Sequence, residues 1–340
     1  MASRSQRGFT RSTTSIVLFV AGLAGILLIG PGCGTGRKIT VAVIPQTEGV
    51  PFWDSVHVGA EVAAREGGAS IYWNAPMRED DIEAQIALVE SVLNRKFTGL
   101  VLAPDHRLAL VTPVQRALAD GIPTAIIGSA VSIAPSANLA NVLNDDEKAG
   151  QMAAERATAL LNGPGTIAII GINPDLSGSM IRARAFEQVL SRTAPGLSIV
   201  DRRIGSSNVP REEQVAEETL SAHPNLDLIV ALMWNSADGA IRAINSMKDR
   251  PSVKLIAFDS YALPPFDQCP YLDSVIEEDI REMGKRAVEI VLAKEQHLET
   301  PSEVKFAPRL ITRENVGSQE IRQMFSTDLP AGSWHWSSIQ

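Results

Sequence analysis

Cysteine is almost missing from this chain: Cys33 and Cys269 are the only two in 340 residues. A scaffold organised by disulfides is therefore excluded. Cys33 lies in a Gly-Thr-Gly leader, a poor place for a structural staple, which leaves Cys269 as a lone buried thiol. Basic charge is also in deficit, with 31 Lys and Arg against 39 Asp and Glu and a pI near 5.3. A nucleic-acid binder needs a basic face to neutralise phosphates, so that class is excluded. The five histidines, His57, His106, His223, His297 and His335, show no metal-ligand spacing. No G-x-G-x-x-G or G-x-x-x-x-G-K-[ST] loop exists, and Gly34-Thr35-Gly36 and Gly163-Pro164-Gly165 precede strands instead of following them. Asp175-Leu176-Ser177-Gly178 lacks the leading glycine of a nucleophile elbow. Nucleotide-dependent enzymes and serine hydrolases are unsupported, and no cofactor or metal is expected.

The first residues have a different character. Residues 1–15 hold Arg4, Arg7 and Arg11 and no acid, and Ile16–Ile29 runs fourteen residues without a charge. A membrane span needs about 20 apolar residues, so this pattern reads as a bacterial signal peptide over 1–32, with an uncleaved anchor as the alternative. The run Ile29-Gly30-Pro31-Gly32-Cys33 resembles a lipoprotein signal box, in which the cysteine becomes the lipid-carrying N-terminus of a short linker, 33–37. Gly32 and Cys33 fit that pattern, whereas Gly30 and Pro31 depart from it. With the three arginines set aside, 39 acidic side chains face 28 basic ones.

The rest alternates strands and helices. Ile39–Ile44 is β-branched, helical periodicity follows from Phe52 to Ala63, and Ala69–Trp73 is a second strand. Ile82, Ile86, Val89 and Leu93 form one apolar helical stripe. Leu100–Ala103, a helix over Leu108–Asp120 and the strand Pro123–Gly128 follow. The alternation continues through strands at Ala137–Leu143, Thr166–Gly171, Leu197–Ile204, Leu228–Ala231, Lys254–Phe258, Leu272–Ile276 and Val304–Phe306. Strand starts about thirty residues apart suit βαβ units and parallel sheets covered on both faces. So many strands are too many for one open sheet, so the expected architecture is α/β with two doubly wound, Rossmann-like lobes. The tail 316–340, with Trp334 and Trp336, has no periodicity and is expected to lie on the surface or fray.

Polar and aromatic residues gather just after strands, where doubly wound folds bind ligands. Phe52, Trp53, Asp105, His106, Trp234, Asn235, Asp259 and Glu278 occupy such positions, and Arg182 joins them from a helix. Flat aromatics cover apolar faces of sugar rings, while carboxylates, amides and arginine bond hydroxyls in pairs. The alternative is that each polar group caps a helix and each aromatic fills the core.

At these residues the chain resembles the ribose-type periplasmic sugar-binding proteins of ABC importers, over about residues 38–310. The matching segments are Val41–Ile44 leading to Pro51-Phe52-Trp53, Gly59-Ala60, Gln85, Leu100–Pro104, Ala117–Pro123, Asp145-Asp146 with Ala149-Gly150, Arg182–Phe186, Ala222–Pro224, Ala237–Ala240 and Phe258-Asp259. The resemblance implies a type I periplasmic-binding fold with a three-stranded hinge. Lobe 1 would cover 38–141 plus 278–303, and lobe 2 would cover 142–277 plus 304–315. Phe52 and Trp53 match the pair that sandwiches the sugar, Arg182 the arginine on its hydroxyls, and Asp259 the aspartate after the Phe-Asp strand. Val50 replaces an asparagine, His106 an aspartate, Met233-Trp234 an asparagine-aspartate pair and Glu278 a glutamine. These departures imply a ligand other than ribose, larger or less hydroxylated, with Trp53 and Trp234 as platforms.

The function implied is an exported, monomeric binding protein that delivers a sugar-like solute to an ABC permease, and indirectly to its ATPase. It would act in the periplasm or at the outer face of the cell membrane, held there only by a lipid on Cys33, with no nucleic-acid partner and no catalysis. The alternatives are a subunit presenting its ligand to a chemoreceptor or sensor kinase and, more remotely, an exported carbohydrate enzyme using Asp105 and Asp259 as a pair. The lactose-repressor family shares the fold, but it needs an N-terminal helix-turn-helix where this chain has its apolar leader.

Overall fold

A computed structural model describes residues 38–247, 252–260 and 263–328. The leader, Cys33, Trp334 and Trp336 lie outside the described residues. The chain runs through β1 (Thr40–Ile44), α1 (Pro51–Glu66), β2 (Ser70–Trp73), α2 (Ile82–Asn94), β3 (Gly99–Leu102), α3 (Val111–Ala119), β4 (Thr124–Gly128) and β5 (Leu139–Asn144). It then forms α4 (Asp146–Leu161), β6 (Gly165–Ile172), α5 (Ser177–Thr193), β7 (Leu197–Ile204), α6 (Val209–Ala222), β8 (Leu228–Ala231), α7 (Trp234–Ser246), β9 (Lys254–Phe258) and β10 (Leu272–Glu277). The last elements are α8 (Ile280–Glu295), β11 (Glu303–Phe306), β12 (Arg309–Thr312) and α9 (Gln319–Met324).

Two six-stranded sheets result, in the orders β11-β5-β4-β3-β1-β2 and β12-β10-β9-β8-β6-β7. Every pairing is parallel except β12 on β10. Helices cover both faces of each sheet, so the central strands are apolar throughout: Val41–Ile44 and Leu228–Ala231 are fully buried. On α2, Val89 and Leu93 enter the core with Ile82 and Ile86 packed against it, as the apolar stripe predicts.

The lobe boundaries expected from sequence shift by a few residues. β5 pairs with β4 from Leu139 to Leu143 and with β11 as far as Asn144, so the first lobe runs to Asn144 instead of residue 141. The segment 304–306, expected in the second lobe, belongs to β11 and pairs with β5 in register from Glu303↔Asn141 to Phe306↔Asn144. The last change of sheet therefore falls at Ala307-Pro308, where proline has no N–H to extend the ladder. The helix expected from Leu108 begins at Val111, because the His106 ring accepts the N–H groups of Leu108 and Ala109 in a turn (3.1 and 3.2 Å). In the tail, α9 buries Ile321 and Met324 in the second lobe's core, a contact invisible in so short a segment.

The first lobe is completed by α8, contributed by residues that come after the second lobe's last parallel strand. It crosses α1 at a pair of glycines: a Cβ on Gly59 would lie 1.9 Å from the Arg281 carbonyl oxygen, and one on Gly284 would lie 2.3 Å from that of Val56. No side chain fits in that space. Gly59→Val should therefore destabilise the protein by about 3 kcal/mol, read as a lowered midpoint in calorimetric or denaturant unfolding.

Candidate functional site

The carboxyl ends of both sheets face one another across a small cavity of about 70 Å³, enough for about two water molecules. It is lined by Phe52, Trp53, Arg182, Trp234, Asn235 and Asp259 from the sequence-derived set. Local structure explains their meeting. Phe52 and Trp53 open α1 behind Pro51, which suits the first turn of a helix, and their rings meet edge to face at 4.8 Å. Trp234 and Asn235 open α7, whose start is fixed by the Met233 N–H bonding Ser236 Oγ (3.1 Å). Asp259 follows β9 in the left-handed region, φ 53°, a conformation aspartate tolerates.

Arg182 organises the second-lobe side. Its Nε donates to Asp146 Oδ1 (2.7 Å), and its two Nη atoms embrace Asp259 (2.6 and 3.0 Å). Nη1 also bonds the Leu232 carbonyl (2.9 Å), and Nη2 lies 3.7 Å from Glu278. The guanidinium rests over the Phe258 ring, 5.0 Å from its centre. Four hydrogen bonds therefore tie to its own neighbours the residue expected to bind ligand hydroxyls. Burial raises the Asp146 carboxyl against the pull of Arg182. It raises Glu277 and Glu278 well above the usual range, with Asp259 repelling both.

Glu278, Asp105 and His106 do not line the cavity. Glu278 is fully enclosed at the crossover into α8, and neither of its carboxyl oxygens has a hydrogen-bond partner among the described residues. Asp105 is equally buried with both oxygens unpartnered, while its N–H bonds Gln85 Oε1 (2.9 Å). Because it never reaches the cavity, the pairing of Asp105 with Asp259 across the cleft is not assembled. His106 caps the turn before α3, and its Nε2 reaches across to Asp175 Oδ1 at 3.3 Å. Beside it, the Arg107 N–H and Nε bond the carbonyls of Asp175 and Pro174 (3.1 and 3.3 Å), so this stretch ties one lobe to the other.

Two acids of the lining escaped the sequence reading of the site. Asp146 reads as a first-turn acid favoured by the helix dipole. Glu79 lies in the charged run Arg78-Glu79-Asp80-Asp81, where nothing in the sequence singles it out. In the structure Glu79 is 5% exposed and accepts bonds from Trp234 Nε1 (3.0 Å) and Asn235 Nδ2 (2.7 Å) of the facing lobe. Burial lifts its carboxyl to about 7, despite these donors.

Asp105 makes a testable contribution to stability. Burial, then repulsion from Glu79, Asp80 and Asp81, raises its carboxyl from 3.8 to about 9. The folded state therefore holds a proton that the unfolded chain releases near pH 4, and stability falls as pH rises between those two values. Asp105→Asn keeps the shape and removes the charge. It should stabilise the protein by about 2 kcal/mol at pH 8 and hardly at all near pH 4, so the midpoint of thermal unfolding should lose much of its decline with pH.

A family model for the periplasmic binding protein domain matches residues 41–262. The ribose import binding protein of Bacillus subtilis is 26% identical over 227 residues, which cover 66% of this chain and 71% of that protein. A D-apiose import binding protein of Paraburkholderia graminis is 22% identical over 315 residues, covering 89% and 97%. Among solved structures, an ABC transporter solute-binding protein of Agrobacterium vitis with bound D-fucose superposes with a TM-score of 0.76 at 25% identity, over 84% of this chain and 99% of that one. Two parallel-sheet lobes, a cavity between their strand ends and a family match over most of the described chain agree: the chain belongs to the periplasmic binding protein family.

Proposed function

We propose that this protein is the exported solute-binding component of an ABC importer, taking a sugar or sugar-like solute between its lobes and handing it to a membrane permease. The observation that carries this reading is the interlobe cavity, where Phe52, Trp53 and Trp234 supply flat apolar faces among directional polar groups. That combination suits a ring with one apolar face and a hydroxylated rim. The relatives named above, two of them import binding proteins and one holding D-fucose, support the same class of solute. Binding without turnover fits the site, since its carboxyls are engaged by Arg182, Trp234 and Asn235.

Closure follows from contacts across the cleft. A solute bridging the lobes favours the closed form by its extra affinity for that form alone. At 70 Å³ the cavity is too small for a pentose with the lobes as close as this, so entry requires the Glu79–Trp234–Asn235 contacts to part. The protein acts as a monomer outside the cytoplasmic membrane, tethered by a lipid on Cys33, the residue that ends the lipoprotein-like box. Among the described residues no helix is long and apolar enough to cross a membrane.

A thermal-shift screen of the purified protein against monosaccharides, sugar alcohols, nucleosides and short oligosaccharides tests the binding reading. One compound should raise the midpoint in a concentration-dependent way, and Trp53→Ala should weaken its binding by about 2 kcal/mol. A flat response across all of these compounds would remove the reading. For the anchor, Cys33→Ser should move the protein from the membrane fraction to the soluble periplasmic fraction, whereas unchanged fractionation would reject the lipid.

A further inference from the structure

The charges around the cavity do not balance, and the imbalance has a location. Three carboxyl side chains line it, Glu79, Asp146 and Asp259, against one guanidinium, Arg182. Asp146 and Asp259 share that guanidinium through short hydrogen bonds. Glu79 has no cation within ion-pairing distance among the described residues, and its two partners, Trp234 and Asn235, are neutral donors. Behind it stands Asp105, another buried carboxyl with no hydrogen-bond partner. A carboxylate enclosed in this way is costly unless a positive charge reaches it.

The groups facing Glu79 are suited to bringing such a charge. The indole N–H of Trp53, on a side chain only 5% exposed, is directed toward the same carboxylate without closing a hydrogen bond, and it has no other partner among the described residues. Phe52 and Trp234 line the cavity beside it. Aromatic faces next to an unneutralised carboxylate are the chemistry that holds an ammonium group, by cation–π attraction on one side and a charge-assisted hydrogen bond on the other.

We infer that the solute carries a protonated amine that seats against Glu79 between the aromatic side chains: an amino sugar, an amino polyol or an imino sugar. The inference rests on the solute-binding reading above and narrows it. When the amine enters, Glu79 exchanges its neutral donors across the cleft for a full ion pair, while Arg182 keeps its existing partners. A neutral sugar would meet Glu79 only through a hydroxyl and would bring no positive charge to it.

The test is calorimetric titration of the full protein near neutral pH with matched pairs: D-galactosamine against D-galactose, 1-amino-1-deoxy-D-sorbitol against D-sorbitol, and 1,4-dideoxy-1,4-imino-D-arabinitol against D-arabinose. In at least one pair the amine should bind about tenfold tighter or better, equivalent to about 1.4 kcal/mol. In Glu79→Gln the amine's advantage over its neutral partner should fall to about threefold or less, whatever the absolute affinities. The preference of the unaltered protein decides the matter even if Glu79→Gln folds poorly. Neutral members binding as well as or better than the amines in every pair would overturn the inference and leave the sugar-binding reading intact. An amine preference that survives in a folded Glu79→Gln protein would also overturn it. No binding by any of the six compounds would count against both.

Discussion

The second-lobe face of the cleft depends on one buried guanidinium. Arg182 lies on α5, yet it bonds the first residue of α4, the carbonyl following β8 and the aspartate following β9, and it approaches the glutamate at the crossover into α8. Four separate pieces of chain converge on one planar fork, with Phe258 beneath it. A lysine could not replace it, because a single ammonium cannot bond Asp146 and grip Asp259 at two points together. The arrangement also explains why acids accumulate there: Asp146, Asp259 and Glu278 are tolerable in the interior only while this cation stands among them.

That commitment divides the work between the lobes. The second lobe holds its polar groups rigid against one another, and the first lobe contributes the group whose partners can change. Glu79 reaches over from the loop after β2 and takes its hydrogen bonds from the opposite lobe. Near its far end the cleft is held by Arg107 and His106 against Pro174 and Asp175. The closed arrangement is thus held by contacts that a solute must replace, so affinity reflects the difference between the solute's contacts and the ones lost. Neutral donors on a buried acid are easier to displace than a salt bridge, which makes Glu79 the natural point of exchange.

Much of this was legible in the sequence, and the misses have physical causes. The buried parallel strands are apolar on both faces, so Val41–Ile44 and Leu228–Ala231 stand out in the sequence. Six of the nine suspected side chains do line one cavity. Asp105 and Glu278 sit one layer deeper, because proximity to a strand end does not specify which way a side chain turns. The His106 ring accepts two N–H groups of the turn before α3 and reaches Asp175, away from the cavity. Glu79 carried no signal, since its role depends on a loop conformation and on a partner 155 residues away. The four-residue β12 and six-residue α9 are too short for periodicity and are defined by tertiary contact alone.

The passage of the chain back into its first lobe sets the order in which the molecule can be finished. The glycine-lined crossing of α1 with α8 requires residues 280–295, and the edge strand β11 requires 303–306. During synthesis from the N-terminus, the second lobe's five parallel strands are complete before the first lobe has its last helix. The half that begins first cannot close until residues 280–306 exist, and until then it exposes the apolar face of α1. Such a chain stays incompletely folded for most of its synthesis.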